Sequence, residues 1–280
     1  PAPVVVSTTY FAAKNSISLF HVDSMQHQMC TCPIAFGQNW PRSKPCLITC
    51  EDTNMPLHGQ SAMLLSFDVA PEAIAEHDDW HTHEHLPERL SIPGFLRGSR
   101  WIALQAQPRY MVLYEVAQLA TLDSDAYLHR LNNPTPWTSK MMPHYRGMSR
   151  GLCTVTASFG LGVGHIGLLL RFRPQATADT QMRKWLVEDV LHHLPSRTGI
   201  GSAHLLEGAL SPQMTNEQRI RGADAGVDWA IIVTGYSQDA LAQLADGDLG
   251  AARLAEHGAS GVQAGLYRID YSLSRHEIEA

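Results

Sequence analysis

The sequence predicts an α+β protein: two tandem ferredoxin-like repeats, each β-α-β-β-α-β, closing into a pseudo-dimeric α+β barrel. Three observations predict it. Beyond Met55 the apolar period switches between 2 and 3.6 residues, as strands and helices do in turn. The order of elements over 55–158 recurs over 165–275. Trp185 stands about as far beyond its strand as Trp80 does beyond its own, and His192-His193-Leu194-Pro195-Ser196-Arg197 echoes His85-Leu86-Pro87-Glu88-Arg89.

In the first repeat, Ala62 to Val69 reads as a buried strand. Pro71 suits a helix start, Glu72 to His85 reads as the helix, and Pro87 is expected to stop it. Gly98 to Gln105 and Arg109 to Val116 read as strands, Asp123 to Leu131 as a short helix, and Arg146 to Thr156 as the fourth strand. In the second repeat, Ile166 to Phe172 is a strand and Ala178 to His193 a helix. Ser202 to Glu207 and Asp228 to Tyr236 are strands, Asp239 to Leu244 opens a helix, and Val262 to Leu273 is the last strand. Gly160-x-Gly162-x-Gly164 reads as the linker between repeats, because no helix follows it to make a phosphate loop. Each sheet has one face for helices and one left over, so two sheets in one chain can close on each other, with further dimerisation left open.

Residues 1–54 are expected to form an irregular N-terminal extension, or to lie upstream of a natural start at Met55. They hold Cys30, Cys32, Cys46 and Cys50, whose C-x-C and C-x3-C spacings are a weak zinc signal. Cys153 reads as a buried core thiol. A net charge of −6 over 280 residues argues against nucleic acid as the main partner. No apolar run reaches the ~18 residues of a membrane helix. No basic-then-apolar leader is apparent, so a cytoplasmic protein with no membrane partner is the expectation.

Chemistry concentrates in Trp80-His81-Thr82-His83-Glu84-His85-Leu86-Pro87-Glu88-Arg89. Imidazole titrates near neutrality, so small environmental shifts make it an acid or a base. His77, His81 and His85 share a helical face. Trp80 reads as core, whereas His77 and His81, flanked by Glu76, Asp78 and Asp79, are expected on the solvent side. His85 with Glu84 and Glu88 is the candidate acid–base group, at a helix end whose dipole favours the imidazolium. The competing reading has both glutamates anchoring Arg89, Arg97 or Arg100. His83 either joins the group or faces water. His-Thr-His-Glu-His lacks the H-E-x-x-H spacing, so a divalent metal, or a haem held by one of these histidines or His144, is kept only as an alternative.

A second group, Asn133, Trp137, His144, Tyr145 and Arg146, lies in a proline-marked loop after the second helix. Trp137 and Tyr145 are candidates for an aromatic wall, with Asn133 or His144 orienting a polar group. Tyr114, one face with Tyr110, reads as either pocket lining or core. His192 and His193 read as an inherited helix end without partners.

The pattern Trp80-x3-Glu84-His85-Leu86-Pro87-Glu88-Arg89, followed by Pro93-Gly94-Phe95-x-Arg97, resembles the signature of EthD-like proteins of the dimeric α+β-barrel superfamily. Leu131 to Thr138 and Met142-Pro143-His144-Tyr145 are similar to a subgroup. The resemblance covers about residues 60–156. It implies the barrel fold and a small-molecule pocket but no particular reaction. The expected function is a cofactor-independent lyase, isomerase, cyclase or dehydratase acting on a small apolar or aromatic compound in catabolism. His85 would move the proton, Glu84 set its pKa and tautomer, Arg89 or Arg97 hold an oxyanion, and Trp137 and Tyr145 pack the substrate. The alternatives are an oxygen-using enzyme, with or without haem, and a non-catalytic binding protein.

Overall fold

The structure is a computed structural model and describes residues 56–209, 215–221 and 224–279. The expected N-terminal extension and its four cysteines lie outside the described residues.

Eight antiparallel strands close into a barrel in the order β1-β3-β2-β8-β5-β7-β6-β4. They are β1 (Ser61–Val69), β2 (Phe95–Gln105), β3 (Tyr110–Val116), β4 (Tyr145–Gly160), β5 (Ile166–Pro174), β6 (Ile200–Ala209), β7 (Trp229–Gly235) and β8 (Ala259–Ser274). Each expected strand is present; β3 and β7 are shorter by a residue at one or both ends, and the others extend by one to four residues at one or both ends. Within each half the pairing order is the same, and the β2–β8 and β4–β6 seams join the halves. Closure leaves no open sheet edge.

Alternation along the strands sorts side chains into three layers. Ala62 and Leu64 of β1 face the barrel interior, packed with Trp101, Met111, Leu113, Leu169 and Ile232 from both halves. Met63, Leu65 and Phe67 face outward, under the helices of the first half. The second half builds a matching outer layer. Cys153 is fully buried, as expected, and burial pushes its thiol up to about 12.

The helix over β1 differs from expectation. It begins near Pro71 and runs as α1 (Ile74–Trp80), a π-helical segment His81–His85, and α2 (Leu86–Leu90). Pro87 does not end it. A helical proline lacks its N–H and crowds the carbonyl four residues back. Here the Leu86 N–H bonds His81 O, five back, so the turn entering Pro87 is already widened. Gly98 lets this helix lie close, since a Cβ there would meet Leu86 Cδ2 at 2.4 Å.

The expected short helix is α3 (Asp125–Asn132), capped by Ser124. Residues expected as loop form α4 (Pro136–Met141), because Thr135 Oγ1 accepts the Thr138 N–H and Pro136 suits the first helical position. The second half carries α5 (Asp179–Lys184), a π segment Trp185–Val190, α6 (Asn216–Arg221), α7 (Gln238–Asp246) and α8 (Ala251–Glu256), with α9 (Arg275–Ile278) after β8.

Backbone hydrogen bonds fix which residues correspond between the halves. Ala73 N to Ala70 O has its counterpart in Ala178 N to Gln175 O, and Ile92 N to Arg89 O in Arg197 N to Leu194 O. Ala117 N to Gly94 O matches Tyr236 N to Gly199 O, with both glycines in the left-handed region at φ 90° and 91°. Trp80 thus corresponds to Trp185, and His85 to Val190. The apparent echo of His85 in His193 is displaced by about one helical turn. His192 and His193 are exposed.

Candidate functional site

Between the outer face of β1, β3 and β4 and the first-half helices lies a pocket with about 420 Å³ of atom-free space, mouth included. Its apolar lining includes Met63, Leu65, Phe67, Val112, Met142 and Met148. Its polar lining is His81, His85, Tyr114, Tyr127, Tyr145, Arg89, Arg150, Glu217 and Arg221. Its enclosed part is only about 30 Å³, room for about one water, so an organic ligand enters as the lining side chains shift.

The helix places three imidazoles along the pocket side. His77, His81 and His85 are all buried, with ring centroids 5.5 Å apart in each successive pair. The expectation that His77 and His81 face solvent is therefore wrong. Of their polar neighbours Glu76 and Asp79 lie on other faces of the helix, whereas Asp78 turns in to meet His77. His77 Nε2 meets Tyr145 Oη at 3.2 Å and its Nδ1 meets Asp78 Oδ1 at 3.1 Å. Asp78 Oδ1 also accepts the Tyr110 hydroxyl at 2.8 Å. By contrast His81 Nδ1, His85 Nδ1 and the Tyr114 hydroxyl are buried with no hydrogen-bond partner.

Burial, reinforced by Arg89 beside His85 and by His77 beside His81, holds both imidazoles well below their ordinary pKa. Neither is the helix-end cation expected from the sequence, because the helix continues past His85 and both rings are buried. Burial pushes the Tyr114 and Tyr145 hydroxyls upward, so both remain protonated donors.

The far wall is charged. Arg89 Nη2 donates to Glu217 Oε1 at 2.5 Å, and both side chains are almost fully buried. Arg221 donates to Asp224 through two nitrogens, at 3.1 and 2.7 Å, and lies 3.9 Å from Glu217. Arg150 donates to the Tyr127 hydroxyl at 3.1 Å, with Asp224 3.9 Å away.

Of the expected site residues, the structure brings His85, Arg89, Tyr114 and Tyr145 to the pocket. Glu84 does not touch His85. Its Oε1 accepts Trp80 Nε1 at 3.1 Å and Thr135 Oγ1 at 2.6 Å, clamping α1 to the start of α4. Glu88 lies between Arg89 and Arg130, with burial raising its pKa. His83 is exposed, its Nδ1 2.9 Å from Asp79 O. Arg97 is bound to Glu115 at 2.7 Å, on the face of β3 opposite Tyr114, and is not available to the pocket. Trp137 donates to Glu76 and packs against the outside of the helix. His144 is half-buried outside the pocket, and exposed Asn133 donates to His129 O. The aromatic wall expected from Trp137 therefore comes from Phe67, Tyr127 and Tyr145 instead.

Sequence reasoning missed Tyr127, Arg150 and the whole of α6, which brings Glu217 and Arg221 from the second half. A signal for α6 existed. Thr215-x-x-Gln218 is a capping pattern, and Thr215 N donates to Gln218 Oε1 at 2.9 Å. Among the described residues no group of three or more His, Cys, Asp or Glu side chains is placed to hold a metal ion. Nor is any described helix long and apolar enough to cross a membrane.

Solved structures share this fold. An anthrone oxidase-like protein superposes with a TM-score of 0.55 at 10% identity, covering 79% of this chain and 96% of its own. A protein provisionally assigned as a monooxygenase from Fusobacterium nucleatum subsp. nucleatum gives 0.49 at 8% identity, covering 78% and 95%. A mutant chlorite dismutase from Candidatus Nitrospira defluvii gives 0.49 at 10% identity, covering 81% and 97%. The first of these likenesses supports the α+β-barrel fold and, at 10% identity, nothing narrower. No family model matches the sequence and no curated protein matches it, so the EthD-like resemblance rests on the motif residues alone.

Proposed function

We propose that this pocket is an active site for proton transfer on a small, largely apolar or aromatic compound, with His85 as the base and Tyr114 as the oxyanion donor. One observation carries the reading. The second half builds the same helix-on-sheet layer without these polar groups. His77, His81, His85 and Arg89 correspond to Met182, Leu186, Val190 and Leu194, all buried. Tyr114 pairs with Met63 as Val233 pairs with the corresponding Leu168. The fold is thus satisfied by apolar residues. Burying unpartnered imidazoles and a phenol instead costs free energy with no structural return, which is the pattern expected of groups kept for a ligand.

The chemistry follows from the environment. A neutral imidazole whose pKa is held low is unprotonated throughout the neutral range. It takes a proton from a carbon beside a substrate carbonyl, or joined to it through an aromatic ring as in anthrone. The C–H electron pair becomes a C=C bond and the carbonyl π pair moves onto oxygen, to which the Tyr114 hydroxyl donates. Where a second C=C bond extends the enolate, the oxygen pair re-forms the carbonyl, the C=C bond shifts, and the imidazolium returns the proton to the γ-carbon, completing an isomerisation. Otherwise the proton returns to the same carbon and exchange results. Glu84 holds the helix rather than tuning His85, and Arg89 is an anchored wall charge. Membership of the EthD-like family belongs to this proposal.

Hydrogen–deuterium exchange into enolisable aromatic ketones tests it. Anthrone and 2-tetralone serve as probes, the first suggested by the name of the anthrone oxidase-like fold neighbour. Tyr114→Phe should slow exchange about a hundredfold, the usual scale for loss of one oxyanion donor. An unchanged rate would remove Tyr114 from the mechanism.

A further inference from the structure

We infer that the ligand of this pocket carries one anionic oxygen, a carboxylate or phenolate, which docks on Arg150. The inference rests on the pocket being the active site and names the class of molecule it accepts.

The charge balance of the far wall points to it. Three buried guanidiniums, those of Arg89, Arg150 and Arg221, share two buried carboxylates, those of Glu217 and Asp224. At the other end of the row Glu88 lies 3.5 Å from Arg89 and is shared with half-exposed Arg130, so among the described residues Arg150 is the buried guanidinium with no close carboxylate of its own. Glu217 serves Arg89 at 2.5 Å, and Asp224 is engaged through both oxygens by Arg221. Arg150 is left with the neutral Tyr127 hydroxyl at 3.1 Å and the already occupied Asp224 at 3.9 Å. Its side chain is 4% exposed and lines the pocket. A buried cation without its own counter-ion is costly, and an anionic ligand supplies what the protein omits.

The second half supports the same reading. Arg150 pairs with Leu65 as Ala264 pairs with the corresponding Leu170, so the strand register does not call for an arginine there. Planar guanidinium donors suit a carboxylate. Leu65, Phe67 and Met142 also line the cavity, as do the unpartnered His85 and Tyr114. A flat apolar body with one acid group matches that arrangement.

Calorimetric titration with 2-naphthoate and its neutral analogue 2-naphthamide tests the assignment on the full chain. Wild type should bind the acid at least tenfold more tightly. Arg150→Gln should erase that preference while keeping naphthamide affinity within about twofold. Asp224→Asn removes one of the two carboxylates and should raise naphthoate affinity severalfold, giving a second arm if Arg150→Gln melts early. Equal affinity of wild type for both probes, binding of neither, or an unchanged preference in Asp224→Asn overturns the inference. Binding is read without turnover. Loss of the acid preference beside intact His85-dependent exchange removes the anion and keeps the active site, whereas the converse removes the catalytic reading alone.

Discussion

Arg89 on α2 and Glu217 on α6 form a buried ion pair at 2.5 Å, joining helices from opposite halves of the chain at the lining of one pocket. A buried pair is weak evidence for stability as a whole, yet breaking one side of it strands a charge. Glu217→Ala should therefore cost about 3–5 kcal/mol in urea unfolding. Adding Arg89→Leu, the second-half residue, should recover much of that loss. Additive losses in the double variant would show that the two side chains do not act as a pair.

The strands were legible where turn residues bound them and both faces are buried, as Leu168-Leu169-Leu170 and Ile231-Ile232-Val233 illustrate, whereas β8 is exposed along much of its length. The site was legible in part. His85 stood out by residue type, but the inward face of the helix did not, since Glu76, Asp78 and Asp79 made the stretch holding His77 and His81 read as solvent-facing. Glu84 follows the same logic. Its neighbour in sequence is His85, whereas its neighbours in space are Trp80 and Thr135. Glu217 lay hidden because no local pattern tells a short capped helix which half of the barrel it will cover.

The histidines make stability pH-dependent in a known direction. His81 and His85 have folded pKa values well below 6.5, and burial lowers His77 as well and His204 to about 3. Below pH 6.5 the unfolded chain takes up protons that the folded chain refuses. Stability is thus full above that pH and falls as the pH drops. His85→Val should shallow this fall by about 1.4 kcal/mol per pH unit between pH 6 and 5, measured as urea midpoints against wild type. Identical slopes would mean that His85 is charged in the native state.

Replacing both unpartnered imidazoles with their second-half counterparts, His81→Leu with His85→Val, should raise stability at pH 7 by about 1–3 kcal/mol while abolishing exchange activity. A destabilised double variant would mean that the pocket needs its histidines for packing.

Glu84→Ala should lower stability by about 1–3 kcal/mol, because Trp80 Nε1 and the Thr135 hydroxyl lose their acceptor. Its exchange rate should stay within about threefold of wild type. A hundredfold loss of rate with unchanged stability would return Glu84 to the catalytic role suggested by the sequence.

The most direct measurement is proton NMR of anthrone and 2-tetralone in D₂O with wild-type protein and His85→Ala. Removing a general base costs on the order of a hundredfold or more in rate. The account predicts protein-dependent exchange in wild type and a drop of at least that size in His85→Ala, with the fold intact by circular dichroism. Exchange that persists unchanged in His85→Ala would contradict it.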